Sequence, residues 1–231
     1  MCGRYNITDD LFIQELMLEL GLNVKLKTAY NIAPTDDIPV ITANGSDTKK
    51  LSIRKMRWWL TPSWAPEINQ RYNMFNAKSE TVLTSKAFKE PFLNRRAVVP
   101  ASGFIEWRKE NGVRAPYYFR LKNRAMLFAA LWEPWQQGRE YSESCAIMTT
   151  DATPQIHAYH HRMPTMIYPD QITRWLDPET DVPHLIELLN QPHLNDMEIS
   201  PLSSAINNSR IKDDRAIKPI EHHPGTNGEL F

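Results

Sequence analysis

From Ile38 to Thr149 the chain is a succession of short apolar, β-branched and aromatic runs cut by turn residues, and this pattern commits it to a strand-rich fold. Ile38 to Thr42, the dipeptide Asn44-Gly45 and Leu51 to Trp59 predict a β-hairpin, because Asn-Gly readily adopts the positive φ angles of a tight turn. Ala97 to Val99 and Gly103 to Arg108 read as strands split by Pro100, which lacks the N–H that a ladder uses. After a further turn at Asn111-Gly112 come Tyr117 to Leu121, Met126 to Trp132 and Ser144 to Thr149, then Met163 to Tyr168 and Met197 to Leu202. Helices are expected only around this set. Thr8-Asp9-Asp10 before Leu11, Phe12, Leu16, Met17 and Leu20 predicts a capped amphipathic helix that stops at Gly21. Ser79 to Phe92 has helical periodicity, Thr153-Pro154 opens a short helix through His160, and Gln171 to Leu176 and His184 to Leu189 are helical, while Ala29 to Thr35 reads as a loop. The sequence has neither an internal repeat nor a clear linker, so one α+β domain over residues 1–231 is expected, its last ~15 residues a polar tail.

Charge excludes one simple reading. Lys+Arg and Asp+Glu both number 27, so net charge offers no general attraction to nucleic acid, and any such site has to be a local patch. Two cysteines, Cys2 and Cys145, with neither a secretory leader nor an apolar run of about 18 residues, lead to the expectation of a soluble, cytoplasmic chain without disulfides or a membrane span. The cysteine pattern suggests no zinc, and although His157 and His160 stand three apart, a third ligand at convincing spacing is missing, so neither metal nor cofactor is expected. Seven Trp exceed ordinary core needs and raise the prospect of aromatic surface.

The sharpest chemical clue is Cys2. Its small side chain permits removal of Met1, after which a free α-amine and a thiol would share one residue. Their reference pKa values, about 8 and about 8.5, leave part of each group nucleophilic near neutrality. Amine attack on an aldehyde gives an imine, and thiol attack on the same carbon closes a five-membered thiazolidine, the second step being intramolecular. Cys2 also reads as an incidental residue at a frayed end. Three further polar clusters stand out: Asn76-Ala77-Lys78-Ser79-Glu80, Glu106 within Gly103-Phe104-Ile105-Glu106-Trp107, and the histidines between Ile156 and Pro164. Each has an ordinary reading as turn, outward strand position or exposed helix face. A glutamate between Ile105 and Trp107 would nonetheless be desolvated, and its pKa raised toward that of a proton shuttle.

In their order, these pieces resemble the SOS response-associated peptidase (SRAP) family. The resemblance runs through Cys2-Gly3-Arg4, Tyr30 to Pro34, Trp58 to Trp64, Asn76 to Thr81, Gly103 to Trp107, His160 to Pro164 and Ile206-Asn207-Asn208, nearly the whole chain. It implies a compact fold of curved, mainly antiparallel strands around a DNA-binding cleft, flanked by helices, and crosslinking to abasic sites in single-stranded DNA or at a junction; nothing in the sequence demands a dimer, so a monomer is expected. It places catalysis on Cys2, Asn76, Glu106 and His160: Cys2 as nucleophile, Glu106 as proton shuttle, His160 assisting opening of the sugar, Asn76 holding sugar and terminus. It also implies phosphate contacts by Arg4, Lys78, Lys86 and Arg162, stacking or wedging by Pro34, Trp64 and Trp107, and a DNA-side place for Asn31. Two departures stand out, Lys78 where arginine is common and His161 where aspartate is frequent, and His157 competes with His160 for the histidine role. The resemblance further implies self-cleavage at Met1. Two other classes remain open: an N-terminal-nucleophile glutamine amidotransferase, which also begins Cys-Gly, and a noncatalytic single-strand binder that needs only the tryptophans and basic residues.

Overall fold

Residues 2–44, 47–110, 112–191 and 196–219 are described by the computed structural model. The chain enters through a three-residue strand, β1 (Tyr5–Ile7), and turns into helix α1 (Leu11–Glu19). Asp10 caps α1 by accepting from the Ile13 N–H at 3.0 Å, and Gly21, at φ +68°, ends it in the left-handed conformation that glycine tolerates. The segment expected as a loop then contributes β2 (Ala29–Ile32), antiparallel to β1. Asn31 within it has φ +51°, and the β1–β2 register shifts between Tyr5 and Ile7, so this strand lacks the regular alternation by which strands are recognised.

The hairpin β3 (Asp37–Asn44) and β4 (Asp47–Trp58) forms as expected, although Gly45 of its turn lies outside the described residues. A short strand, β5 (Asn76–Lys78), follows. The helix expected from Ser79 to Phe92 is instead a 3-10 turn, Ser79–Thr81, and a later helix, α2 (Lys89–Asn94). Two local causes interrupt it. The Thr84 hydroxyl donates to the Thr81 carbonyl at 3.1 Å, a local alternative to helical bonding, and Pro91 can neither donate an N–H nor tolerate a helical carbonyl four residues earlier.

β6 (Arg96–Ala101) runs through Pro100 without a break. Its pairing with β3 is confined to Val98, so at Pro100 that edge has no ladder for a missing N–H to interrupt. β7 (Gly103–Glu110), β8 (Val113–Leu121), β9 (Met126–Gln137) and β10 (Glu140–Asp151) follow as consecutive antiparallel neighbours in two pairs. Asn111, expected in the β7–β8 turn, is outside the described residues. Helix α3 (Pro154–His157) ends before His160, and β11 (Arg162–Pro164) is shorter than the strand expected to reach Tyr168. Helices α4 (Ile172–Leu176) and α5 (Val182–Leu189) and strand β12 (Met197–Pro201) complete the chain as far as residue 219, so nearly all of the expected polar tail is beyond description.

These strands make two sheets, an all-antiparallel one ordered β12-β8-β7-β1-β2 and a second ordered β11-β10-β4-β3-β6-β9. β9 pairs back onto β10, closing β10, β4, β3, β6 and β9 into a ring, and β10 meets β4 and β5 in parallel. The fold is therefore α+β with mainly antiparallel strands. The sheets meet through aromatic rings: Tyr5 sets its edge against Trp58 and Phe128 at centroid distances of 5.4 and 6.0 Å, and Phe104 sets its edge against Phe128 at 6.3 Å. Burying each such side chain contributes about 1.5–3 kcal/mol. Four of the seven tryptophans, Trp58, Trp59, Trp135 and Trp175, are buried. Trp58, Trp135 and Trp175 donate their indole N–H to the carbonyls of Phe75, Ala65 and Ala97 at 2.8, 2.7 and 2.9 Å.

Candidate active site

The Ile105 N–H donates to the Arg4 carbonyl at 2.9 Å, so the residues ahead of β1 run beside β7 and bring Cys2 and Gly3 toward Glu106. A cleft of about 440 Å³ opens there, lined by Gly3, Arg4, Glu106, Trp107, Arg114, His160 and Asn207. A larger cavity of about 800 Å³ lies between β2 and the β3–β4 hairpin, but its lining holds neither cysteine nor histidine. The smaller cleft is the one that gathers the expected Arg4, Glu106, Trp107 and His160.

Cys2 is fully buried, with its thiol 3.7 Å from the Arg4 carbonyl. Burial pushes the thiol far above its ordinary range, and the Glu106 carboxylate adds to that push. Glu106 is 2% exposed, because the β7 residues Gly103 to Glu106 are all buried instead of alternating. Burial raises its carboxyl from 4.5 to about 8, against weaker opposition from Arg114 and a main-chain hydrogen bond at Trp107. His160 Nδ1 lies 3.7 Å from Glu106 Oε1, and burial lowers this imidazole to about 4. Near neutrality both side chains are therefore uncharged, and the contact is a close approach of two neutral groups, not an ion pair. The imidazole is seated by Arg162: Nδ1 is 3.1 Å from the Arg162 N–H and 3.0 Å from its carbonyl oxygen. A bare Nδ1 accepts from the first, and a protonated one donates to the second. His157 is exposed on α3, so of the two candidates the structure brings His160 to Glu106.

The remaining expected residues divide. Arg4 is half-buried and donates Nε–H to Asn31 Oδ1 at 2.9 Å; its guanidinium carbon lies 5.9 Å from the Trp107 ring centre. Trp107 also donates Nε1–H to Asn207 Oδ1 at 2.7 Å. Trp64 is 54% exposed, with the Lys86 ammonium 4.5 Å from its ring centre, and Lys78 is exposed at the end of β5. Pro34 is half-buried in the turn after β2. Asn76 is buried, donates to the Ile147 carbonyl at 3.3 Å, and has a buried Oδ1 without a hydrogen-bond partner among the described residues, but it does not line the cleft.

Two of the expected DNA-side residues are engaged within the protein itself. Arg162 is 6% exposed and its charge is already used: Nη1 meets Glu80 at 2.7 Å and Asp151 at 2.6 Å, and Nη2 meets Glu80 at 2.9 Å and the Thr149 carbonyl at 2.6 Å. Asn31 is wholly buried, its Nδ2 shared among the carbonyls of Ile206, Asn208 and Ile211 at 3.3, 2.9 and 3.1 Å. Its amide clamps the C-terminal segment to Arg4 and is not presented to a ligand. Arg114, overlooked in the sequence, reaches the cleft from β8; the register pairing Trp107 with Pro116 puts it near Trp107, a relation that no local motif encodes. Among the described residues there is no group of three or more potential metal ligands, and no helix is long and apolar enough to cross a membrane.

The fold and cleft define a class first: an α+β protein holding a cysteine near its start against a buried, proton-retaining carboxyl. The chain belongs to the SOS response associated peptidase (SRAP) family, whose sequence model matches residues 1–209. It is 32% identical to the abasic site processing protein YoaM of Bacillus subtilis, over 96% of this chain and all of that one. It is 27% identical to the abasic site processing protein HMCES of Gallus gallus, over 85% of this chain and 68% of that one. Its fold is similar to a solved structure from Bacteroides thetaiotaomicron at a TM-score of 0.77 and 22% identity, covering 93% and 98% of the two chains.

Proposed function

We propose that this protein processes abasic sites in DNA and that, once Met1 is removed, Cys2 captures the aldehyde of the opened deoxyribose as a thiazolidine. The observation that carries the reading is Cys2 buried within electrostatic reach of Glu106, the cleft-lining carboxyl held near 8. The relatives' names, abasic site processing protein, support the substrate class.

The electrostatics support an order of events. The thiol is strongly protonated, so the α-amine attacks C1′ first and forms a carbinolamine. Glu106, still protonated near neutrality, gives its proton to the departing hydroxyl; water leaves and an iminium, N–H retained, remains. The ionised Glu106 then takes the thiol proton as sulfur bonds to the iminium carbon, and the iminium nitrogen ends as the neutral ring amine. Aldehyde and aminothiol thus give thiazolidine and one water. His160 relays protons to the sugar oxygen during ring opening, a role that its uncharged imidazole 3.7 Å from Glu106 supports. Trp64 and Trp107 offer aromatic faces to unpaired bases, and Arg4, Lys78 and Lys86 offer cations to phosphates, which suits a single strand or a junction.

Denaturing electrophoresis of the protein with a single-stranded oligonucleotide carrying one abasic site tests the reading. Wild type should give a shifted band and Cys2→Ala none. A band of equal intensity from Cys2→Ala removes Cys2 from the chemistry.

A further inference from the structure

Arg114 lies in β8, lines the cleft beside Arg4, Glu106 and His160, and is exposed to solvent. Its guanidinium carbon lies 5.8 Å from the centre of the Trp107 ring, against which Arg4 also rests. It makes no ion pair among the described residues. Arg162 is the opposite case, a guanidinium buried between Glu80 and Asp151. We propose that Arg114 binds a phosphate of the DNA strand at the mouth of the cleft, the contact that Arg162 was expected to make.

The inference rests on the reading of this cleft as a DNA site. Stacking on indole orients a guanidinium without consuming its N–H fork, which remains free for two phosphate oxygens. A strand whose sugar reaches Cys2 carries its flanking phosphates across the rim where Arg114 stands. A cation also suits this rim because the groups beneath it, Glu106 and His160, are uncharged near neutrality and cannot neutralise it.

The test is noncovalent binding of an undamaged oligothymidylate strand by wild type, Arg114→Gln, Arg114→Lys and, as a control outside the cleft, Lys122→Gln. Because one phosphate contact on single strands contributes about 0.7 to the slope of log affinity against log salt, Arg114→Gln should flatten that slope by about 0.7 and bind several-fold more weakly. Arg114→Lys should keep the slope. An unchanged slope in Arg114→Gln, or an equal loss in Arg114→Lys or Lys122→Gln, overturns the proposal. A companion reaction of wild type with an abasic strand separates the two failures: crosslinking with an unchanged Arg114→Gln slope sinks the Arg114 contact alone, whereas a flattened slope without crosslinking sinks the covalent reading alone.

Discussion

Glu106 and His160 are displaced in opposite directions by the same cause, because burial disfavours whichever form is charged. Their linkage to stability is opposite too. Glu106 keeps its proton in the folded state up to about 8 but loses it near 4.5 when unfolded, so its stabilising contribution is complete below pH 4.5 and is lost as pH rises toward 8. His160 stays neutral when folded, and its contribution is lost as pH falls from 6.5 toward 4. Glu106→Gln, uncharged throughout, should therefore gain thermal stability over wild type between pH 4.5 and 8 and hold that gain above it. A melting-temperature difference flat across this range contradicts the buried carboxyl. The same variant should slow crosslink formation, measured as a rate at saturating strand. At this scale the sequence was informative about Glu106, since an acid between Ile105 and Trp107 already implied desolvation. It was silent about Arg162, because nothing in His160 to Pro164 announces that Glu80 and Asp151, from two other elements, have taken its charge.

Elements position these residues by a few close contacts. Asn31 joins β2, Arg4 and the segment from Ile206 to Ile211 through one amide. Asn31→Ala leaves buried polar groups unpaired and should cost about 1–3 kcal/mol in urea unfolding, with hydrogen exchange accelerated around Asn208. Unchanged exchange there would mean that the segment is held by something else. Gly103 opens β7 where an added Cβ would lie 2.5 Å from the Tyr118 ring and 2.6 Å from the Phe119 carbonyl oxygen. Gly103→Ala should therefore destabilise the protein by about 1–3 kcal/mol, read by the same unfolding, and a neutral result would show that β7 and β8 can separate slightly. Strong periodic elements such as α1 and the β3–β4 hairpin were legible, as their spacing and turn chemistry agree. β2 and the broken helix after Ser79 were not, since a bulge at Asn31 and a proline acting on the preceding turn override simple periodicity.

Across the whole molecule, the ring of five strands and the five-stranded sheet share one aromatic core through Tyr5, Trp58, Phe104 and Phe128. They should unfold together, giving coincident transitions in far-ultraviolet and near-ultraviolet circular dichroism, whereas separated midpoints would mean two independent units. Strand richness was readable from turn spacing. Ring closure was not, because the pairing of β10 with β4 and of β3 with β6 is a matter of register between distant segments, settled by packing. The same long-range assembly puts Cys2 against Glu106, and on that juxtaposition the proposed function depends. Its most direct test is the intact mass of the protein after incubation with a single-stranded oligonucleotide bearing one abasic site. The account predicts a species equal to the chain without Met1 plus the strand, less one water, and its absence from Cys2→Ala. A chain that keeps Met1, or an equally abundant stable adduct of Cys2→Ala with the strand, would contradict it.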